Sequence, residues 1–287
     1  AAGFIMNVVL LYAIRRFTKK SLGTYKHLLT IFAAYDTYLV LLHAVLKPKV
    51  VIKPPTFGVV SDDVLESRRA TSFFCACFTV PFTLMNIHFV YRFWSVSRPH
   101  LIPIFSEKKF ILFLCSTSVG GLVIWYLLCV YCLTGEIDEV GTVILREAYD
   151  ERYGKIIDDG WIVMDWVSIV VFNPRVFFAM VCFDIIMAGS FTLAATLACF
   201  TFYHIKTTQT FSAQAHSLQL KLFIAVCAQT FVPLVFVYIP YACAINFPFF
   251  GIPIFLVDDL CMTLTACFPA WDAVIMIGLM KDYRQAF

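Results

Sequence analysis

The chain has 287 residues, of which 61% are apolar, 17% aromatic and 14% charged, with a mean hydropathy of +0.82. Soluble domains run at about 45–50% apolar and about 25% charged, so this balance excludes a water-soluble domain and with it a cytosolic enzyme. A net charge of only +3 gives no reason to expect a nucleic-acid partner, and membrane lipid is the surrounding the composition calls for.

A helix crosses the hydrocarbon core with about 20 predominantly apolar residues. The first such run, about 1–17, is apolar to Ile14 and then turns basic at Arg15, Arg16, Lys19 and Lys20. A secretory signal carries its basic residues ahead of the apolar stretch. The opposite order here predicts a truncated first transmembrane helix whose outer turns precede Ala1. Further spans are expected at about 27–46, 70–94, 109–133 and 174–204. Residues 222–257 are uncharged but too long for one helix. Asn246 and Pro248, then Gly251 and Pro253, divide them into spans at about 218–245 and 255–280. The prediction is an all-α membrane protein: one domain over 1–287, built as a seven-transmembrane helix bundle.

Basic residues are retained on the cytoplasmic side. With the first end outside, the inner segments 15–27, 92–109, 205–221 and 281–287 hold thirteen Lys or Arg against two acids, Glu107 and Asp282. The outer segments hold nine basic and fourteen acidic residues, nine of the acids in the long loop 134–173. The N-terminus is therefore expected to be extracellular. Trp161 and Trp166 within that acidic loop suit a folded cap dipping toward the membrane interface; an unstructured tether is the other reading.

The halves show no repeat of the kind many transporters carry. No zinc-binding histidine pair, phosphate-cradling glycine loop or nucleophile elbow is present, so neither a cofactor, a metal nor catalysis is expected. All eleven cysteines fall within or at the ends of spans, where a thiol ordinarily serves as a small hydrophobe. A bond from Cys75 or Cys77 to Cys129 or Cys132 and a fully reduced set are both open.

Polar groups inside a bilayer are costly and ask for a reason. Asn7, Asp36, Asp184 and Asp272 lie inside expected spans. Asn7 and Asp36 are 29 residues apart across one short inner loop, which brings them to similar depth on antiparallel helices, and Asp272 falls near the same level. One reading is a shared, hydrated switch of Asn7, Asp36 and Asp272, in which the two carboxylates do not both stay ionised without a cation or proton between them. The other is three separately satisfied groups. Arg92 closes the third span where the helix meets the cytoplasm, a position a simple interfacial anchor also explains.

An Arg at the inner end of the third of seven spans resembles the rhodopsin-like receptors, where it usually follows an acid, precedes an aromatic and engages a G protein. Here Tyr91 stands in place of the acid and Phe93 follows. The inner end of the sixth span, His216 to Leu222, has no carboxylate either, so the acidic restraint on that Arg seen in many relatives is missing. Nearly end to end, the chain resembles the nematode serpentine chemoreceptors of the Str type. The matching residues include Leu22, Gly23, Thr24, Tyr25 and Lys26; His88 to Phe93; Ser97, Arg98 and Pro99; and Leu145, Arg146 and Glu147, followed by Tyr153, Gly154, Asp158 and Asp159. They continue with Leu218, Gln219, Lys221, Leu222 and Phe223; Gln229, Thr230, Pro233, Tyr238, Ile239 and Pro240; and Pro269, Ala270, Trp271 and Asp272, ending in Lys281, Asp282, Tyr283 and Arg284. Ala273 follows Asp272 where that family usually has a helix-bending Pro.

The resemblance implies a chemosensory receptor of the plasma membrane, placed in a sensory-neuron cilium, that binds a small odorant-like molecule in the outer half of the bundle. It also implies that a heterotrimeric G protein is activated through Tyr91, Arg92, Phe93, Tyr283 and Arg284. Counting helical turns outward from Arg92 places Phe74, Phe78, Thr79 and Phe82 in the middle and outer third span. Gln229, Tyr238 and Tyr241 belong to the sixth span and Thr263 to the outer seventh. An aromatic pocket of these residues suits a small neutral ligand; ordinary helix packing is the other reading of each of them. Asp184 either faces a cationic ligand or pairs with a neighbouring helix. A ligand-gated channel or small transporter with seven spans is the alternative reading.

Overall fold

The computed structural model describes residues 2–17, 25–61, 67–133, 139–168, 171–207, 213–252 and 257–284. Among them, six apolar helical stretches are long enough to cross a membrane: Tyr25–Leu46, Arg68–Ser97, Lys108–Cys132, Pro174–Thr207, His216–Asn246 and Leu260–Leu279. A shorter helix, α1 (Ala2–Phe17), joins them by packing on α2 (Tyr25–Leu46) and α10 (Val257–Leu279). The result is an all-α membrane bundle, closed at one end by a small β-structure. That end is the one the charge distribution assigns to the outside, and it is called outer below.

The third apolar stretch is two helices rather than one. α3 (Arg68–Cys77) gives way at Phe78 to α4 (Thr79–Ser97). Pro81 is the local cause: it has no N–H to donate to the carbonyl four residues back, that of Cys77. Tyr35 on α2 donates its hydroxyl to the Cys77 carbonyl at 2.7 Å, satisfying in the bilayer a group that lipid cannot. Thr79 caps the same break by donating to the Ala76 carbonyl at 2.8 Å. The sixth stretch carries a comparable irregularity. α8 (Ala213–Pro233) passes through a wide π turn over Leu234–Tyr238 into α9 (Ile239–Asn246), with Pro233 and Pro240 as the sites where the regular hydrogen-bond ladder lacks a donor.

α4 occupies the centre, packed on α7 (Pro174–Thr207) and α5 (Lys108–Cys132). α5 is peripheral: only Trp125, Leu128 and Cys129 are buried, while Leu112, Phe113, Val119 and Tyr131 stand exposed. An outward apolar face of this kind is stable only against acyl chains. The short α11 (Lys281–Arg284) follows α10. A 3₁₀ segment, Pro99–Ser106, leads from α4 into α5.

The outer end holds what no helical periodicity foretells. Pro48–Lys53 (β1) and Thr56–Ser61 (β2) form a hairpin, and Ile162–Asp165 (β3) from the long acidic loop adds antiparallel to β2. Val167–Ser168 (β4) and Val171–Phe172 (β5) make a separate pair. Side chains alternate across a strand, and both faces of the three-stranded sheet are buried. Phe57, Val59, Ile162 and Met164 join the core of the bundle. Val51, Val60, Trp161 and Val163 instead form a second core with Leu145 and Tyr149 of α6 (Glu139–Tyr153). Gly58 lies where α6 comes closest: a Cβ there falls 2.5 Å from Leu145 Cδ1. Part of the loop 134–173 is thus a folded cap, with the sheet as a layer between α6 and the helices.

Candidate ligand-binding and coupling site

Below the sheet lies a cavity with about 70 Å³ open to the centre of a water molecule. One water needs roughly 10–15 Å³ by that measure, so the space suits a compact molecule of a few heavy atoms. The sheet supplies its roof through Phe57, Val59, Ile162 and Met164. α3 and α4 contribute Phe74, Phe78 and Phe82, α5 contributes Trp125 and Cys129, and the sixth apolar stretch contributes Tyr238 and Tyr241. No charged side chain lines it among the described residues.

Ring contacts fix the walls. Phe82 stacks on Tyr238 with centroids 4.0 Å apart, and Phe191 closes edge-on against both, at 5.8 and 5.2 Å. Trp125 stacks on Phe183 at 4.1 Å, while Phe78 bridges Phe74 at 5.1 Å and Tyr241 at 6.4 Å. These rings set the cavity beside the two irregular points of the bundle, the α3–α4 break at Phe78 and the π turn that ends at Tyr238.

Of the residues named for a ligand from sequence, the structure gathers Phe74, Phe78, Phe82, Tyr238 and Tyr241 around this cavity. The others lie elsewhere. Thr79 is turned to the helix break, and Thr263 is exposed on α10. Asp184 accepts a hydrogen bond from Asn246 Nδ2 at 3.1 Å, pairing α7 with α9. Gln229 belongs to the polar cluster described next. Sequence reasoning missed the roof and Trp125, Phe183 and Met187. The alternation of Phe57 with Val59 and of Ile162 with Met164 is the signal that could have found the roof.

Deeper in the bundle Asn7, Asp36 and Asp272 are each buried almost completely. Asp36 and Asp272 lie within hydrogen-bonding reach of each other, and Gln229 Nε2 donates to Asp272 Oδ2 at 3.4 Å. Asn7 does not join the carboxyls directly. It donates through Nδ2 to the carbonyls of Gly3 at 2.9 Å and Pro269 at 2.8 Å, tying α1 to α10 three residues before Asp272. Among the described residues, acceptor oxygens on Asn7, Asp36, Gln229 and Asp272 have no hydrogen-bond partner. Such groups in an apolar bundle call for water or a shared proton or cation.

At the inner end, Arg92 is 3% exposed. Its guanidinium carbon lies 3.6 Å from the centroid of the Tyr25 ring and 5.7 Å from that of Tyr91. Phe93 is half-buried, close to Phe200 and His204. Tyr283 is buried, and Arg284 is exposed.

The described residues thus form a bundle of apolar helices with a roofed outer cavity, a buried polar cluster and a basic inner end. The whole chain, residues 1–287, matches the family described as serpentine type 7TM GPCR chemoreceptor Str, and it belongs to that family. It is 26% identical over 298 residues to serpentine receptor class r-10 of Caenorhabditis briggsae, covering 98% of this chain and 85% of that protein. The protein of the same name from Caenorhabditis elegans is 25% identical over 303 residues, with 98% and 85% covered. It is accordingly a multi-pass membrane protein of a receptor family.

Proposed function

We propose that this chemoreceptor binds a small, neutral, largely apolar molecule in the cavity beneath the β-sheet and passes the signal to a heterotrimeric G protein at its inner face. The observation that carries the reading is the cavity itself: small, lined by aromatic, aliphatic and sulfur side chains, and without a charged group among the described residues. A ligand with a formal charge loses its hydration there and gains no partner. A neutral molecule gains close contact with rings and thiols, and its volume is limited by the roof.

A ligand shifts a receptor only if it favours one conformation over another. Filling the space between Phe82, Tyr238 and Trp125 acts on α4, on the π turn and on α5 together. The π turn leads through α8 to Gln229 and so to Asp272, and α4 leads to Arg92. The polar cluster of Asp36, Gln229 and Asp272, with Asn7 beside it tying α1 to α10, is the rearranging middle of this path, and Tyr91, Arg92, Phe93, Tyr283 and Arg284 form the G-protein face. The plasma membrane of a sensory cilium is the site of action this reading assigns.

The test is a screen of small neutral volatiles against the full-length receptor in cells carrying a G-protein reporter. Responses confined to compact neutral compounds support the reading. Responses to charged compounds, or ligand-gated currents that persist without any G protein, contradict it.

A further inference from the structure

A guanidinium withdrawn from water needs a compensating partner, and at Arg92 none of the described residues supplies a carboxylate. Nε and Nη2 are buried with no hydrogen-bond partner among the described residues. What faces the cation is the ring of Tyr25, with the guanidinium carbon 3.6 Å from its centroid. That is well inside the range in which an aromatic face attracts a cation, and desolvation strengthens the attraction.

The ring is held in place from both sides. His88 and Arg92, four residues apart, share one face of α4. Tyr25 Oη lies 3.4 Å from His88 Nδ1, and the two rings meet edge-on at 5.6 Å. Tyr91 flanks Tyr25 at 5.3 Å. Phe32, seven residues along α2 and hence on the same face as Tyr25, closes on His88 at 5.4 Å. The first residue of α2 is therefore gripped by one turn of α4.

We propose that Tyr25 is the positioning residue that keeps Arg92 inside the bundle in the ligand-free receptor, its ring face taking the part that a carboxylate would otherwise play. Arg92 becomes available at the inner face when α2 and α4 separate and the guanidinium leaves the ring. This rests on the reading of Arg92 as the G-protein contact, and the test separates the two.

In the full-length receptor, position 25 is replaced by Phe and by phenylalanines carrying one to four ring fluorines. The shape is nearly unchanged while the negative charge of the ring face is progressively withdrawn. Two quantities are read in membranes: the rate at which phenylglyoxal modifies Arg92, followed by mass spectrometry, and ligand-free G-protein activation at matched surface expression. Tyr25→Phe gives up the hydroxyl's contact with His88 but keeps the ring face, so Arg92 stays protected and basal activation low. Across the fluorinated series the modification rate rises by about tenfold, and basal activation rises with it. A modification rate that stays flat across the series overturns the role of Tyr25. A rate that rises while basal activation stays unchanged leaves the clamp standing and overturns the reading of Arg92 as the coupling residue.

Discussion

Phe78 shows how much a single side chain decides in a cavity this small. It lies at the α3–α4 break with its ring between Phe74 and Tyr241, lining space worth only a few heavy atoms. Phe78→Trp adds about that much volume. The expected outcome is a loss of response to the larger active compounds of roughly tenfold or more in potency, with surface expression retained, because overpacking typically costs about 1–3 kcal/mol. Concentration–response curves for wild type and variant check it. Asp272 carries the opposite kind of information. Its carboxyl group meets Asp36 and accepts from Gln229. Asp272→Asn turns one of two facing acceptors into a donor, so it is expected to stabilise the ligand-free arrangement by about 1 kcal/mol or more. A higher melting temperature of the purified receptor, with a weaker ligand response, is the measurable result.

The residue scale is also where the sequence was most and least informative. Phe78 and Phe82 were legible because helical spacing puts residues four apart on one face. Asp36 and Asp272 were legible because charge in a bilayer asks for a reason. Asp184 was equally conspicuous, yet its partner Asn246 comes from α9, and no spacing rule links them. Tyr25 carries no signal of its own in the sequence. Its contact with Arg92 depends on the register between α2 and α4, which a single sequence does not contain.

Among the elements, the roof was the least visible. Pro48–Ser61 reads as part of an outer loop when only helices are sought, although Val50, Val51 and Ile52, then Pro54 and Pro55, then Phe57 to Val60 carry the β-branched and turn chemistry of a hairpin. The pairing of β2 with β3 joins segments about 100 residues apart, beyond any local pattern. The break in the third span follows from Pro81, but that Tyr35 satisfies the freed Cys77 carbonyl depends on how α2 packs against α3. Gly58 tests whether the cap is an integral layer. A methyl group there meets Leu145 Cδ1 at 2.5 Å and Trp161 at 3.2 Å, and a central strand paired on both sides has little room to shift. Gly58→Ala is expected to destabilise the cap by about 1–3 kcal/mol. Limited proteolysis at the outer face, faster in the variant than in wild type, reads this directly while the helices remain intact.

Taken whole, the molecule is a lipid-facing shell around two unlike interiors. Exposed Leu112, Phe113, Ile185 and Phe231 make the outside as apolar as the core, as a membrane requires and water forbids. The outer half encloses uncharged aromatic space; the lower half concentrates the costly groups Asn7, Asp36, Asp272 and Arg92. The seven-span plan was legible because composition and charge asymmetry are global properties that survive ignorance of contacts. The division of labour between the halves was not, because it emerges only once the helices are packed.

On the proposed reading, occupancy of the outer cavity is converted into G-protein activation through Arg92. The most direct test compares the full-length receptor with Arg92→Ala, at equal surface expression, in their response to the most potent small neutral compound found by screening. The expected outcome is a robust G-protein response from the wild type and a response at least about a hundredfold weaker, or none, from Arg92→Ala. A variant that activates the G protein as the wild type does would contradict it.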